Sequence, residues 1–182
     1  MLGEAARVDV EILPAFTQNY CVSPRPSLDR LDHRLLGLLQ ADCARTLEAL
    51  GEAVGLSPSA VQRRIARYRA GGLLKKEIAV LEPARLGGVV LATVFVTLDR
   101  ESSALHRAFR KRMLAAPEVQ QCYDLAGTRD YLVILAARAM DQYRGILERL
   151  FMDDPNIKRY DTHFVFETVK ASLAVPTADP EA

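Results

Sequence analysis

Residues 46–73 break into two short amphipathic runs around Gly55, Leu56, Ser57 and Pro58, and that break constrains the fold more than any other stretch of the chain. Glycine in the left-handed region ends a helix, and a serine cap with proline at the first helical position starts the next. A restart this tight predicts two helices set at a steep angle. In the first, Thr46 suits the N-cap, Glu48 lies at the positive end of the helix dipole, and Leu47, Leu50 and Val54 make the apolar stripe, with Leu56 dropping into the core. In the second, Val61, Ile65 and Tyr68 fall at i, i+4 and i+7 and turn inward together.

The second helix is also where charge collects. From Ala60 to Lys76 the chain carries Arg63, Arg64, Arg67, Arg69, Lys75 and Lys76 and no acidic residue, although the formal net charge of the whole is only +1. A local basic excess in a balanced chain is the footprint of a polyanion site. Ser57, Ser59, Gln62, Arg63 and Arg67 point out or flank the outward face. Arg64 and Arg69 lie nearer the core border, where phosphate contact or structural pairing suits them, and Lys75 and Lys76 follow as phosphate contacts. Small polar residues first and arginines next suit the major groove of double-stranded DNA, where arginine pairs with guanine and glutamine with adenine. A merely solvated basic face would leave the turn and the stripe unaccounted for.

A further amphipathic helix precedes this pair, with Leu28, Leu31, Leu35 and Leu38 or Leu39 at helical spacing and Ser27 or Asp29 as cap. The run Leu73 to Leu81 alternates as a wing strand or short hairpin would, giving a winged helix-turn-helix over residues 28–82. Glycines and prolines at 83–88 mark a linker. Beyond it, residues 89–170 alternate by type: strands at 89–98, 119–126, 131–137 and 157–169, and helices at 103–116 and 140–152. Leu105, Phe109 and Met113 face inward on the first of these helices, and Tyr143, Leu147, Leu150 and Phe151 on the second. This β-α-β-β-α-β order is that of the ferredoxin-like split unit, so the fold class is α+β. Residues 1–27, with Pro14, Pro24 and Pro26, read as a flexible extension, and 171–182 as a tail.

With Leu28, Asp29 and Asp32 ahead of it and Pro83 and Gly87 behind, this arrangement resembles the Lrp/AsnC (feast/famine) family of transcriptional regulators. The resemblance continues through Pro117–Val119, Cys122–Tyr131 and Thr162–Lys170 and covers about four-fifths of the chain. Departures are Cys43 in place of a usual glycine, Tyr68 and Arg69 in place of Leu-Glu, and Lys76 and Glu77 in place of Gly-Tyr. The resemblance implies a ligand-sensing (RAM-type) second domain, dimers paired sheet against sheet that often assemble to octamers, and DNA binding tuned by an amino acid or related metabolite.

Gly127, Thr128, Arg129 and Asp130 join two strands. As a hairpin turn, the glycine supplies a positive φ and the aspartate bonds the turn backbone. As an effector site, opened backbone amides hold a carboxylate and Asp130 holds an ammonium group, which together recognise an α-amino acid. Family resemblance favours the second, with Tyr123, Thr128 and Thr162 as further contacts. The strand Val89–Leu98 is apolar on both faces, so the face away from the helices needs a cover, most simply a second subunit.

Other classes are disfavoured. No run approaches the roughly 20 apolar residues that span a bilayer, and the first residues lack a signal peptide's basic cluster and apolar core. Cys21, Cys43 and Cys122 are odd in number and widely spaced, as in a reducing cytoplasm rather than a disulfide framework or metal knuckle. His33, His106 and His163 stand apart. Asp161 and His163 share a strand face with no nucleophile beside them, so neither an enzyme nor a resident cofactor is expected. The strands lack the basic-aromatic pattern of an RNA platform. An architectural DNA-wrapping protein with little effector response is the alternative.

Overall fold

A computed structural model describes residues 27–177; the expected N-terminal extension, Ser27 apart, lies outside them. Asp29 caps α1 (Arg30–Ala41): its Oδ1 accepts from the Asp32 amide at 2.7 Å, while Asp32 Oδ2 accepts from the Asp29 amide at 3.0 Å. Each acid satisfies an amide that a helix start leaves free. Thr46 Oγ1 caps α2 (Leu47–Val54) through the Ala49 amide at 3.2 Å, and Ser57 Oγ caps α3 (Pro58–Ala70) through the Ala60 amide at 3.3 Å. Between them Gly55 takes φ 75°, the left-handed residue the turn requires. Gly51 serves a different need, since a Cβ there would stand 2.5 Å from the Leu56 carbonyl oxygen. The helices close over Leu35, Leu39, Leu50, Val54, Val61, Ile65 and Tyr68, with Leu47 and Leu56 half-buried against them.

The expected wing does not form. After Gly72 (φ 70°) the amides of Leu73 and Leu74 bond back to the Tyr68 carbonyl and finish α3. The chain then runs to Leu81 with no strand pairing, leaving Ile78, Val80 and Leu81 exposed. Alternation alone cannot make a strand when no neighbour offers its backbone groups.

The second half follows the expected order: β1 (Val90–Leu98), α4 (Ser103–Ala115), β2 (Val119–Asp124), β3 (Tyr131–Ala137), α5 (Met140–Leu147) continuing into a π-helical turn (Glu148–Met152), and β4 (Ile157–Phe164). The strands form one antiparallel sheet ordered β2-β3-β1-β4. Ala92, Val94, Val96 and Leu98 of β1 and Val133 and Leu135 of β3 point into a core closed by Phe109, Met113, Tyr143, Ile146, Leu150 and Phe151. Leu91, Phe95, Leu132 and Ile134 lie half-buried on the other face. β4 stops at Phe164 rather than near Val169: Val165 still bonds Leu91, but β1 supplies no residue beyond Val90, and Phe166 and Val169 stand exposed.

The chain divides into two units, one running to Val80 and resuming at Ala171, the other Leu81–Lys170. Within the first, Val175 exchanges hydrogen bonds with the Gln40 side-chain amide at 2.8 and 2.9 Å, and the Thr177 carbonyl lies 3.1 Å from His33 Nδ1.

Candidate nucleic-acid interface

The outward face of α3 starts from its cap. Ser57 Oγ, already accepting from Ala60, lies 3.1 Å from Ser59 Oγ, and both serines are exposed at the positive end of the helix dipole. Gln62 and Arg63 follow one turn on. Both are exposed, and Arg63 has no ion pair among the described residues. Lys75 and Lys76 are exposed on the segment after the helix, while Arg69 is held by Glu77 at 2.8 Å.

Two of the expected contacts are tied down. Arg64 Nη1 reaches Asp32 at 2.5 Å and Asp29 at 2.8 Å, which is the structural pairing its place at the core border allowed. Arg67, expected on the outward face, is exposed, yet its Nη2 donates to both carboxylate oxygens of Asp32 at 2.7 Å. The Tyr68 hydroxyl donates to the same carboxylate. Asp32 is only 1% exposed. Burial alone would push its pKa up, but the bonds from Tyr68, the Asp29 amide and Arg64 outweigh it and bring the carboxyl from 3.8 down to about 2. The hydrogen bonds that Arg64 donates to Asp32 and Asp29 hold its guanidinium above its ordinary value, and burial, then Asp32, raises the Tyr68 phenol. The functional reading of the sequence missed Asp32, although a signal was there: it shares a helical stripe with Leu35 and Leu39, and a carboxylate on an apolar stripe requires a buried partner.

The expected effector residues do not converge. Tyr123 pairs with Leu132 across the open face of the sheet, on edge strand β2, and its hydroxyl donates to Gln121 at 2.7 Å. Thr162 pairs with Val94 on the helix-covered face, on the opposite edge strand β4, and accepts from the Tyr143 hydroxyl at 2.8 Å. Three interstrand spacings, about 14 Å, and opposite faces separate the two within one chain. Asp130 is half-buried, and its Oδ2 accepts from the Leu98 amide at 2.6 Å, while its amide bonds Val96 and its carbonyl Leu125. The carboxylate thus bonds the backbone at the end of β1, whereas the hairpin reading expected it to bond that of its own turn. Gly127 differs from the turn reading, because its φ is not positive and a Cβ there would meet nothing within 4 Å. Thr128 beside it is exposed.

Elsewhere, a cleft of about 360 Å³ between α4 and β2 is lined by Arg110, Gln121, Cys122, Asp124 and Tyr131. Its polar groups already serve each other: Tyr131 Oη lies 2.6 Å from His106 Nδ1 and accepts from Arg110, which also pairs with Asp124. Burial, then Asp124, pushes the Cys122 thiol up to about 11, so it stays protonated at neutral pH. Among the described residues no group of three or more His, Cys, Asp or Glu side chains could hold a metal, and no helix is long and apolar enough to cross a membrane.

Comparison with known proteins matches residues 28–69 to the AsnC-type helix-turn-helix domain and residues 91–175 to the Lrp/AsnC ligand binding domain. An HTH-type transcriptional regulator of Sinorhizobium fredii is 35% identical over 149 residues, covering 82% of this chain and 88% of that protein. The DNA-binding transcriptional activator DecR of Escherichia coli is 32% identical over the same length, covering 82% and 98%. Among solved structures, a transcriptional regulator of Neisseria meningitidis in complex with L-Met superposes with a TM-score of 0.72 at 25% identity, covering 82% of this chain and 97% of that one.

Proposed function

The chain belongs to the Lrp/AsnC family of DNA-binding transcriptional regulators, and from that premise we propose that α3 reads the major groove through Gln62 and Arg63 while Ser57, Ser59, Lys75 and Lys76 hold phosphates. The observation that carries this is Arg63, exposed and without an ion pair among the described residues, in the middle of the outward face and less than two turns from a serine-capped N-terminus. Its guanidinium is free to form two parallel bonds to a guanine edge. Arg63→Ala is expected to cost about 1–3 kcal/mol at the cognate site and to relax discrimination there, whereas Lys75→Ala or Lys76→Ala weakens all sequences alike and flattens the salt dependence. Footprinting decides: an Arg63→Ala protein with wild-type melting and unchanged affinity and specificity refutes the groove assignment.

The second unit we read as an effector sensor for an amino acid or related metabolite, supported by its match to a ligand binding domain and by the L-Met complex of the Neisseria meningitidis relative. The loop from Gly127 to Asp130 is the proposed contact. Its glycine has neither a positive φ nor a close neighbour to account for it, and a bare backbone there gives a carboxylate access to the loop amides ahead of Asp130, whose own amide is bonded to Val96. Tyr123 and Thr162, on opposite faces and edges, join one site only if other subunits supply one of them. Gly127→Val separates ligand binding from folding, since valine is tolerated without positive φ. Its melting temperature should match wild type while the shift given by an activating amino acid disappears; a ligand at 100 times Kd stabilises by about 2.7 kcal/mol. Asp130→Ala should lose the shift too, at a cost of about 1 kcal/mol for the Leu98 bond. An undiminished ligand shift in both variants would leave the loop as a connection only. If no amino acid moves the wild-type melting temperature while DNA binding persists, the architectural reading takes over.

We further propose a non-enzymatic cytoplasmic protein with no resident cofactor, whose open sheet face is covered by a second copy in a homodimer that assembles further to an octamer.

A further inference from the structure

Arg67 stands 56% exposed on the DNA-facing helix, but its Nη2 donates to Asp32 and lies 2.7 Å from each carboxylate oxygen. Its guanidinium carbon lies 5.6 Å over the Tyr68 ring, and the Tyr68 hydroxyl closes on the same carboxylate. The group is therefore held at one end and from one face. A guanidinium grips a guanine through two parallel N–H bonds, either from Nη1 and Nη2 or from Nε and Nη2. Both forks use Nη2, the nitrogen that Asp32 holds, so a base gripped by either fork competes with the carboxylate, whereas Nη1 and Nε can each give a single bond without disturbing it.

We infer that Arg67 is a DNA-backbone clamp and not a base reader, and that Asp32, from the neighbouring helix, is the positioning residue that assigns it that role. The inference rests on α3 lying in the groove as proposed above. A phosphate oxygen accepts from Nη1 or Nε in many directions, so a guanidinium fixed at Nη2 can still serve it. Pulling Arg67 away onto a base would instead take a charge-assisted partner from a carboxylate that is 1% exposed, which disfavours the exchange. Base discrimination then falls to Gln62 and Arg63, which no such tether restrains.

The experiment is selection from a randomised duplex pool, followed by titrations at two salt concentrations, with full-length wild type, Arg67→Ala, Arg63→Ala and Asp32→Asn. Arg67→Ala, a change at an exposed position, is expected to weaken every duplex by a common factor, keep the wild-type base preferences at all positions and lower the salt slope by about 1. Loss of preference at any single base position on Arg67→Ala overturns the inference. Asp32→Asn is expected to release the fork and add a guanine preference that the Asp32→Asn, Arg67→Ala double variant lacks. A well-folded Asp32→Asn protein with the wild-type profile overturns the role given to Asp32. Should Asp32→Asn fail to fold, the Arg67→Ala profile still decides. The Arg63→Ala arm keeps the two readings apart: if it changes neither affinity nor profile, the groove assignment itself falls and takes this inference with it.

Discussion

Asp32→Ala is expected to cost about 3–5 kcal/mol and to leave the helical unit largely unfolded at room temperature, because it removes the shared acceptor of Arg64, Arg67 and the buried Tyr68 hydroxyl. The capping box goes as well, since Asp32 Oδ2 accepts from the Asp29 amide. Breaking a buried cluster by deleting one partner strands the others, which is why the loss exceeds that of a surface ion pair. Hydrogen exchange reads this unit by unit: the amides of α1 to α3 should lose protection while those of the sheet keep theirs. Protection within about 1 kcal/mol of wild type across α1 to α3 would show that the cluster adds nothing.

The same carboxylate predicts an acid dependence with a definite sign. Its folded pKa of about 2 lies below the ordinary 3.8, so its contribution is present above 3.8 and is lost as pH falls through about 2. At roughly 1.4 kcal/mol per tenfold change in proton affinity, that contribution is about 2 kcal/mol. Other carboxylates titrate in the same range. The quantity to follow is therefore the stability difference between wild type and Asp32→Asn, which should shrink by about that amount between pH 5 and pH 1.

What could be read from the sequence was what is local. Thr46, Gly55, Ser57 and Pro58 specify their caps and turn through neighbours at most a few residues away, and the stripe of Val61, Ile65 and Tyr68 follows from helical geometry alone; all adopt the expected roles. The Asp29 and Asp32 capping box is equally local, but the grip of Asp32 on Arg64 and Arg67 spans more than 30 residues of chain and depends on how α1 crosses α3. Gly127 misled because a glycine between two strands suggests a positive φ, whereas here the turn does without it. Leu73–Leu81 and the end of the last strand failed for another reason. Their alternation is real, but pairing requires a second strand, and none of the described residues supplies one at Ile78 or beyond Val165. For β1, apolar residues on both faces made the inward parity unreadable until the packing placed Val94 in the core and Phe95 opposite.

That parity turns the apolar sheet face into a decisive experiment. Phe95 lies at the centre of the open face, opposite Leu132 on one neighbouring strand and Asp161 on the other, and its ring meets His163 edge-on at 5.9 Å. Leu91, Leu132 and Ile134 extend the patch along β1 and β3. Within the sheet unit nothing covers this face, and a contiguous apolar surface rimmed by polar residues is what association buries. In a two-fold pairing each substitution enters the interface twice. A carboxylate without a partner costs about 2 kcal/mol or more when buried, so Phe95→Asp should weaken assembly about a thousandfold or beyond. Val94→Asp would not serve, because Val94 is fully buried under the helices and charge there attacks the fold. Operator binding should fall with assembly although α3 is untouched, since one helix-turn-helix reads a single half-site and a dimer reads two, about 34–36 Å apart or at multiples of that spacing. Light scattering should give wild type at least twice the 20.2 kDa chain mass at micromolar concentration, and Phe95→Asp the chain mass itself. A wild-type monomer that still binds a two-half-site operator tightly would remove the reason for the pairing.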